Sequence, residues 1–263
     1  MTRQHEVLRA RLDDAARVQA LVRLGVLDQP PAADLDGLTR LATFVTGAPV
    51  GIINLLDATR QWQASVTGQP RGVFRREDSL CQYTVADNAL VHVADASKDR
   101  RFAGSPFVDG TIDSIRFYCG VPVRDVAGFP VGTLCVTDST VRELRPGQVA
   151  ALHDLAAQVE HLFELRRLHG QLVELLTEVD HFATHDPLTG AVNRRLLMDR
   201  LDHAIARADR SGTAPTVIFC DLDGFKSVND AHGHQAGDET LRTVAGRLSA
   251  AVRPEDTVAR IGG

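Results

Sequence analysis

Cysteine is scarce in this chain: Cys81, Cys119, Cys135 and Cys220 are the four in 263 residues, and no two have C-x-x-C spacing. That density excludes a disulfide framework and fits a reducing compartment, so the cysteines read as small buried hydrophobes. Long hydrophobic runs are missing too, since stretches such as Val50 to Leu56 are far too short to span a bilayer. The N-terminus, Met1-Thr2-Arg3-Gln4-His5-Glu6, is charged, and no apolar segment of the secretory kind follows it. A cytoplasmic protein with no membrane partner is therefore expected. Nor is there a basic excess: the formal net charge is -5 and the pI is near 6.0, which argues against nucleic acid as a partner. What remains is a soluble composition, 44% hydrophobic and 24% charged, long enough for two modest domains.

Residues 5 to 24 read as one charged, leucine-bearing helix ending near Gly25, and Pro30-Pro31 separate it from a second helix from Leu35 to about Val45. After Pro49 the pattern turns to strands. Val50–Asp57, Trp62–Val66, Val91–Asp95, Phe117–Arg124 and Val131–Asp138 are short and rich in Val, Ile, Leu or aromatics, with a helical excursion at Glu77–Tyr83 and a hairpin loop at Asp125–Pro130. This arrangement resembles a GAF domain over residues 32–142, carried by Ile52-Ile53-Asn54-Leu55-Leu56-Asp57, Arg60-Gln61-Trp62, Arg116 to Val123 and Gly132 to Asp138. The resemblance implies a sensor with an antiparallel sheet and flanking helices, without naming its ligand.

From Pro146 to about Phe182 runs a single helix, with Gly170 its only glycine after the first turn. Leu152, Leu155, Val159 and Leu162 repeat at three and four residues, as do Leu168, Leu172, Leu175, Val179 and Phe182 in a shifted phase. The ten residues from Leu162 to Leu172 are a heptad plus three, a stammer. A parallel homodimer through residues 146–182 is expected; the alternative is an amphipathic helix packed on its own domain.

Asp186-Pro187-Leu188-Thr189-Gly190-Ala191-Val192-Asn193-Arg194 precedes a helix with Asn193 as its cap and Leu197, Leu201, Ile205 and Ala208 on one face. Thr216 to Asp221 reads as a buried central strand carrying Asp221 and Asp223 at its carboxyl end, followed by Asn229-Asp230-Ala231-His232-Gly233-His234-Gln235-Ala236-Gly237-Asp238. An amphipathic helix from Gly237 to Val252 leads to Arg253-Pro254-Glu255-Asp256, five residues before Gly262-Gly263. Together these resemble the front part of a GGDEF domain, the diguanylate cyclase family that makes cyclic di-GMP from two GTP, departing from the opening motif only at Ala191-Val192.

The resemblance implies magnesium or manganese held by the Asp221 carboxylate and the Leu222 carbonyl, with Asp221 the catalytic metal ligand. It implies phosphate contacts from the Gly224 and Phe225 N–H groups, a guanine pocket lined by Leu188, and guanine selectivity from Asn229 and Asp238. Arg253 and Asp256 match the product-binding inhibitory site. The fold class expected is α/β (α+β), divided into an N-terminal helix (1–31), a GAF sensor (32–142), a signalling helix (143–184) and a GGDEF portion (185–263) whose sheet and signature are incomplete. The function implied is a GAF-regulated diguanylate cyclase, inactive as this chain alone. Two alternatives stand beside it: a receptor that binds cyclic di-GMP or GTP without turnover, and a small-ligand, haem or redox sensor using Cys81, Cys119 or His92.

Overall fold

A computed structural model describes residues 3–212 and 214–262, grouped into two compact units, residues 1–170 and 171–263. The first begins with α1 (Arg3–Leu12) and α2 (Ala15–Leu24) rather than one helix. The break falls where Asp14 turns its carboxylate onto the Ala16 N–H at 2.9 Å, capping α2 and offering the backbone an alternative to continued helix. The carbonyl of Leu12 that the break would orphan accepts instead from Nε and Nη2 of the buried Arg17, at 3.0 and 2.7 Å. Arg17 Nη1 also reaches Leu56 O at 2.7 Å, joining the helices to the sheet.

α3 (Ala33–Thr46) precedes a six-stranded antiparallel sheet, ordered β3-β2-β1-β6-β5-β4. Its strands are β1 (Val50–Leu56), β2 (Arg60–Thr67), β3 (Val73–Arg75), β4 (Val91–Val93), β5 (Phe117–Arg124) and β6 (Pro130–Asp138). Five of these answer to the short apolar runs expected from the sequence. β3 has only three residues, Val73-Phe74-Arg75, two of them exposed, so no apolar run marks it. The helical excursion resolves into a 3₁₀ turn at Arg76–Asp78 and α4 (Cys81–Asp87).

Strand alternation puts Ile53 and Leu55 on one sheet face and Ile52 and Leu56 on the other, and each face has a core. The first is covered by α2, α3 and the front of α5 (Pro146–Thr184), whose Leu152, Ala156, Val159 and Phe163 are buried. The second is covered by α1, α4 and irregular chain carrying Phe102, Phe107, Val108 and Ile115. The front of α5 thus packs on its own domain, and its buried seam shifts by one residue from the expected Leu155 and Leu162, which are half-buried beside it.

In the second unit α5 continues with Leu172, Leu175, Val179 and Phe182 exposed. β7 (Val192–Asn193) pairs in parallel with β8 (Ala259–Arg260), and α6 (Arg194–Ser211), α7 (Phe225–His232) and α8 (His234–Ala251) complete the unit. The strand expected over Thr216–Asp221 is not formed. Residues 214–222 are irregular, and Ile218 and Phe219 are 80% and 79% exposed. A buried strand is defined by the ladders on either side, and among the described residues none lies beside this segment. On the expected inward faces of α6 and α8, Leu197, Leu201, Leu241 and Val244 are half-buried while Ile205 and Leu248 are exposed.

Candidate functional site

The opening turn of the second unit is built around Asp186. Its Oδ1 accepts from Thr189 N at 2.9 Å and Thr189 Oγ1 at 2.7 Å, and Arg260 Nη1 lies 3.1 and 3.0 Å from its two oxygens. Burial works against the charge, but these donors outweigh it and hold the carboxyl below the ordinary carboxylate value. Leu188 sits half-buried in this turn. Asn193 caps α6 as its position implied, accepting from Leu196 N at 3.1 Å.

Asp221 is exposed, and its Oδ1 accepts from its neighbour, Leu222 N, at 2.9 Å. The Leu222 carbonyl accepts from Phe225 N at 3.2 Å. That bond engages two groups assigned different tasks. The carbonyl keeps a second lone pair for a cation, but the Phe225 N–H is occupied and is not directed to a phosphate. Gly224, with φ +76°, makes the reversal into α7 in a region that a side chain would strain.

α7 and α8 meet at Gly233 and pack so that Asn229 and Phe225 cover the buried Gly237. A Cβ at Gly237 would overlap Asn229 Oδ1 and stand 2.9 Å from Asn229 Cγ and 3.3 Å from Phe225 Cζ. Asp238, half-buried, is the next residue along α8. The fold therefore brings the amide and the carboxylate of the expected guanine pair to one helix junction, with Gly224 one residue before Phe225. Nothing in the spacing alone announced Gly237 as the residue that seats Asn229.

Arg253 and Asp256 close on each other as an exposed turn: Arg253 N donates to Asp256 Oδ2 at 3.1 Å, and Asp256 N to Arg253 O at 3.0 Å. His181 and His185 stack with ring centroids 4.4 Å apart. Among the described residues no three His, Cys, Asp or Glu side chains converge as a metal cluster. A magnesium-type site of one carboxylate and one carbonyl, completed by substrate phosphates, asks for fewer protein ligands than that.

In the first unit the sulfur and imidazole candidates separate. His92 pairs across the ladder with Cys119, whose side chain lies in the core under α2, α3 and α5. Cys81 lies in the opposite core, so Cys81, Cys119 and His92 form no common site. The neighbour of Cys81 is Cys135, which nothing in the spacing singles out.

A GAF-domain family model matches residues 5–162, and a diguanylate cyclase, GGDEF-domain model matches residues 183–263. The chain is a GAF–GGDEF protein. It is 37% identical over 174 residues to the bifunctional diguanylate cyclase/cyclic di-GMP phosphodiesterase MucR of Pseudomonas aeruginosa, covering 61% of this chain and 25% of MucR. The cyclic di-GMP phosphodiesterase PA2567 of the same organism is 32% identical over 211 residues, 80% of this chain and 33% of the relative. The diguanylate cyclase DosC of Escherichia coli is 38% identical over 117 residues, 43% of this chain and 25% of DosC. The GAF–GGDEF chain thus spans a quarter to a third of the length of these relatives. Among its described residues no helix is long and apolar enough to cross a membrane.

Proposed function

We propose that this chain is the sensor and nucleotide-recognition part of a GAF-regulated diguanylate cyclase of the cytoplasm, with residues 32–142 as sensor, 143–184 as transmitter and 185–263 as the GGDEF portion. The observation that carries the reading is the α7–α8 junction, where Asn229 rests on Gly237 beside Asp238. A carboxylate accepts from both the N1–H and the exocyclic amine of guanine, donors that adenine does not offer together, and the amide serves the adjoining edge. GTP is the nucleotide that this pair selects, with Leu188 against the base.

The reaction joins two GTP molecules held by two copies of the chain: the 3'-hydroxyl of one attacks the α-phosphorus of the other, and pyrophosphate leaves. Catalysis of that kind is largely positioning. Magnesium or manganese at Asp221 and Leu222, when bound, supplies neutralisation of phosphate charge. The partner copy is presented along α5, where Leu172, Leu175, Val179 and Phe182 stand exposed at three- and four-residue spacing, the seam of a parallel coiled coil.

These 263 residues alone should bind guanine nucleotide without turning it over, because Asp221 lies on an exposed segment with no strand beside it among the described residues. Titration calorimetry with magnesium should show GTP preferred over ATP, with the preference abolished in Asp238→Ala, while incubation with GTP yields no cyclic di-GMP. Equal affinity for ATP and GTP would remove the reading, and clear turnover would remove its second half.

A second reading, reception of cyclic di-GMP, is favoured by the contrast between that open segment and the locally complete Arg253–Asp256 turn. Arg253 offers a bidentate fork to phosphate or guanine, and Asp256 an acceptor. Arg253→Ala should weaken cyclic di-GMP binding by about tenfold or more, the loss of one charged hydrogen-bonding group, and leave GTP binding unchanged.

A further inference from the structure

The second core of the GAF unit is not uniformly apolar. Cys81 at the start of α4 and Cys135 on β6 are both fully buried, with sulfurs 3.8 Å apart. The side-chain amide of Asn54 donates to both, at 3.2 Å to Cys81 and 3.3 Å to Cys135. Close by, Thr84 Oγ1 and the Tyr118 hydroxyl share a hydrogen bond of 2.9 Å, and the Ser79 hydroxyl accepts from Cys81 N at 3.0 Å. Asn54 Oδ1 and Thr133 Oγ1 are buried with no partner. Polar atoms in a core cost free energy unless satisfied, and a cluster that leaves two unsatisfied is poor structural material. A sheet core needs no such group for packing, so its chemistry calls for another explanation.

Two thiols at van der Waals contact need only about 0.9 Å of movement each to reach the roughly 2.05 Å of a disulfide. Cys81 itself is buried, but its chain neighbours reach a cleft. A cleft of about 890 Å³ is lined by Ser79, Leu80, Gln82 and Tyr83, the residues on either side of Cys81.

We propose that Cys81 and Cys135 are a hydroperoxide-responsive dithiol, which closes reversibly to a disulfide tying α4 to β6. The Cys81 thiolate attacks the peroxide, forming S–O as O–O breaks and hydroxide leaves. Cys135 then attacks the Cys81 sulfur, S–S forms, S–O breaks, and the departing hydroxide takes up the Cys135 proton. Two thiols and one hydrogen peroxide become one disulfide and two waters. Burial alone would push the Cys81 thiol up, but its contact with the Cys135 sulfur outweighs that and holds it below the ordinary thiol value. Cys135 is held well above the ordinary thiol value by its contact with Cys81 and by burial, so it keeps its proton until it acts as the resolving partner. β6 ends at Asp138 and α5 begins at Pro146, so a bond on β6 acts one short connection from the long helix. This site is independent of the nucleotide reading, and either can fail alone.

The test uses the full chain with Cys220→Ser, which removes the exposed thiol that would otherwise join two copies. Four cysteines less that one leave three. After brief exposure to excess hydrogen peroxide, thiol titration in denaturant should fall from three to one per chain and return to three with dithiothreitol. Peptide mapping should join the Cys81 and Cys135 peptides, and Cys135→Ser should instead leave a dimedone-reactive sulfenic acid on Cys81. Three surviving thiols, under a dose that oxidises Cys220 in the unaltered chain, would overturn the proposal. So would a disulfide that includes Cys119.

Discussion

Gly237→Ala separates the fit of the guanine pair from the stability of the helices that carry it. A Cβ at this position stands 2.9 Å from Asn229 Cγ, about 0.6 to 1.1 Å short of the roughly 3.5–4.0 Å at which two carbons rest. Phe225 Cζ, at 3.3 Å, blocks part of the room on the other side. The flexible partner is the Asn229 amide, which therefore swings away. A hydrogen bond mis-set by that much loses about 1 kcal/mol, or up to about 2 if the guanine edge is left unpaired, which is roughly a five- to thirtyfold weaker Kd for GTP. The helix responds in the opposite sense, since Ala is preferred over Gly inside α8 by up to about 1 kcal/mol. Calorimetric titration with GTP, paired with thermal unfolding, should show affinity falling while Tm holds or rises. The double variant with Asn229→Ala should bind no more weakly than Asn229→Ala alone, because no amide remains to displace. Additive losses, or unchanged affinity in the single variant, would refute the reasoning.

Arg17→Met should destabilise the GAF unit by on the order of 3 kcal/mol, because it removes two donors from the Leu12 carbonyl, leaving only the longer bond from Arg76, and one from the Leu56 carbonyl; urea unfolding followed by Trp62 fluorescence reads this directly, and a loss under about 1 kcal/mol would contradict it. Acid should act on the same unit through Asp57 and Asp138. Burial opposes their ionisation, yet N–H and guanidinium donors from Thr59 and Arg60, and from Arg142 and Thr140, hold both below 3.8. A folded pKa below the unfolded one stabilises above pH 3.8 and is lost as the pH falls through the folded value. Urea midpoints should thus be level from about pH 7 to 5 and drop below about pH 4, whereas a loss beginning near neutrality would point to other groups. Leu172→Asp combined with Val179→Asp should halve the mass measured by light scattering; an unchanged mass would move the dimer contact away from α5.

The strands of the GAF sheet were legible because β1, β5 and β6 are short, largely apolar runs of seven to nine residues bounded by turn residues, the pattern of strands buried on both faces. The Asp13-Asp14 break between α1 and α2 was not, since an acidic pair inside a leucine-bearing helix looks like a solvated face until Asp14 is seen to cap. α5 shows why periodicity alone settles existence and not partner. Leu152 and Val159 repeat as Leu172 and Val179 do, yet the first pair lies against the sheet and the second faces outward. The run at Thr216–Asp221 misled for a related reason: hydrophobicity and β-branching state what a segment would bury, while burial requires ladders on both sides.

The sequence by itself determined the family, the order of its parts and the chemical types at the proposed nucleotide site, because those rest on residue identity and spacing along one chain. Only the tertiary structure decided that Asn229 is seated by Gly237, that the Phe225 N–H is already spent on Leu222, and that Cys81 meets Cys135 and not Cys119. Each depends on which sheet or helix face a side chain occupies and on what lies opposite it. Neighbours across a face are set by packing between segments as far apart as Cys81 and Cys135, a separation over which local spacing carries no information.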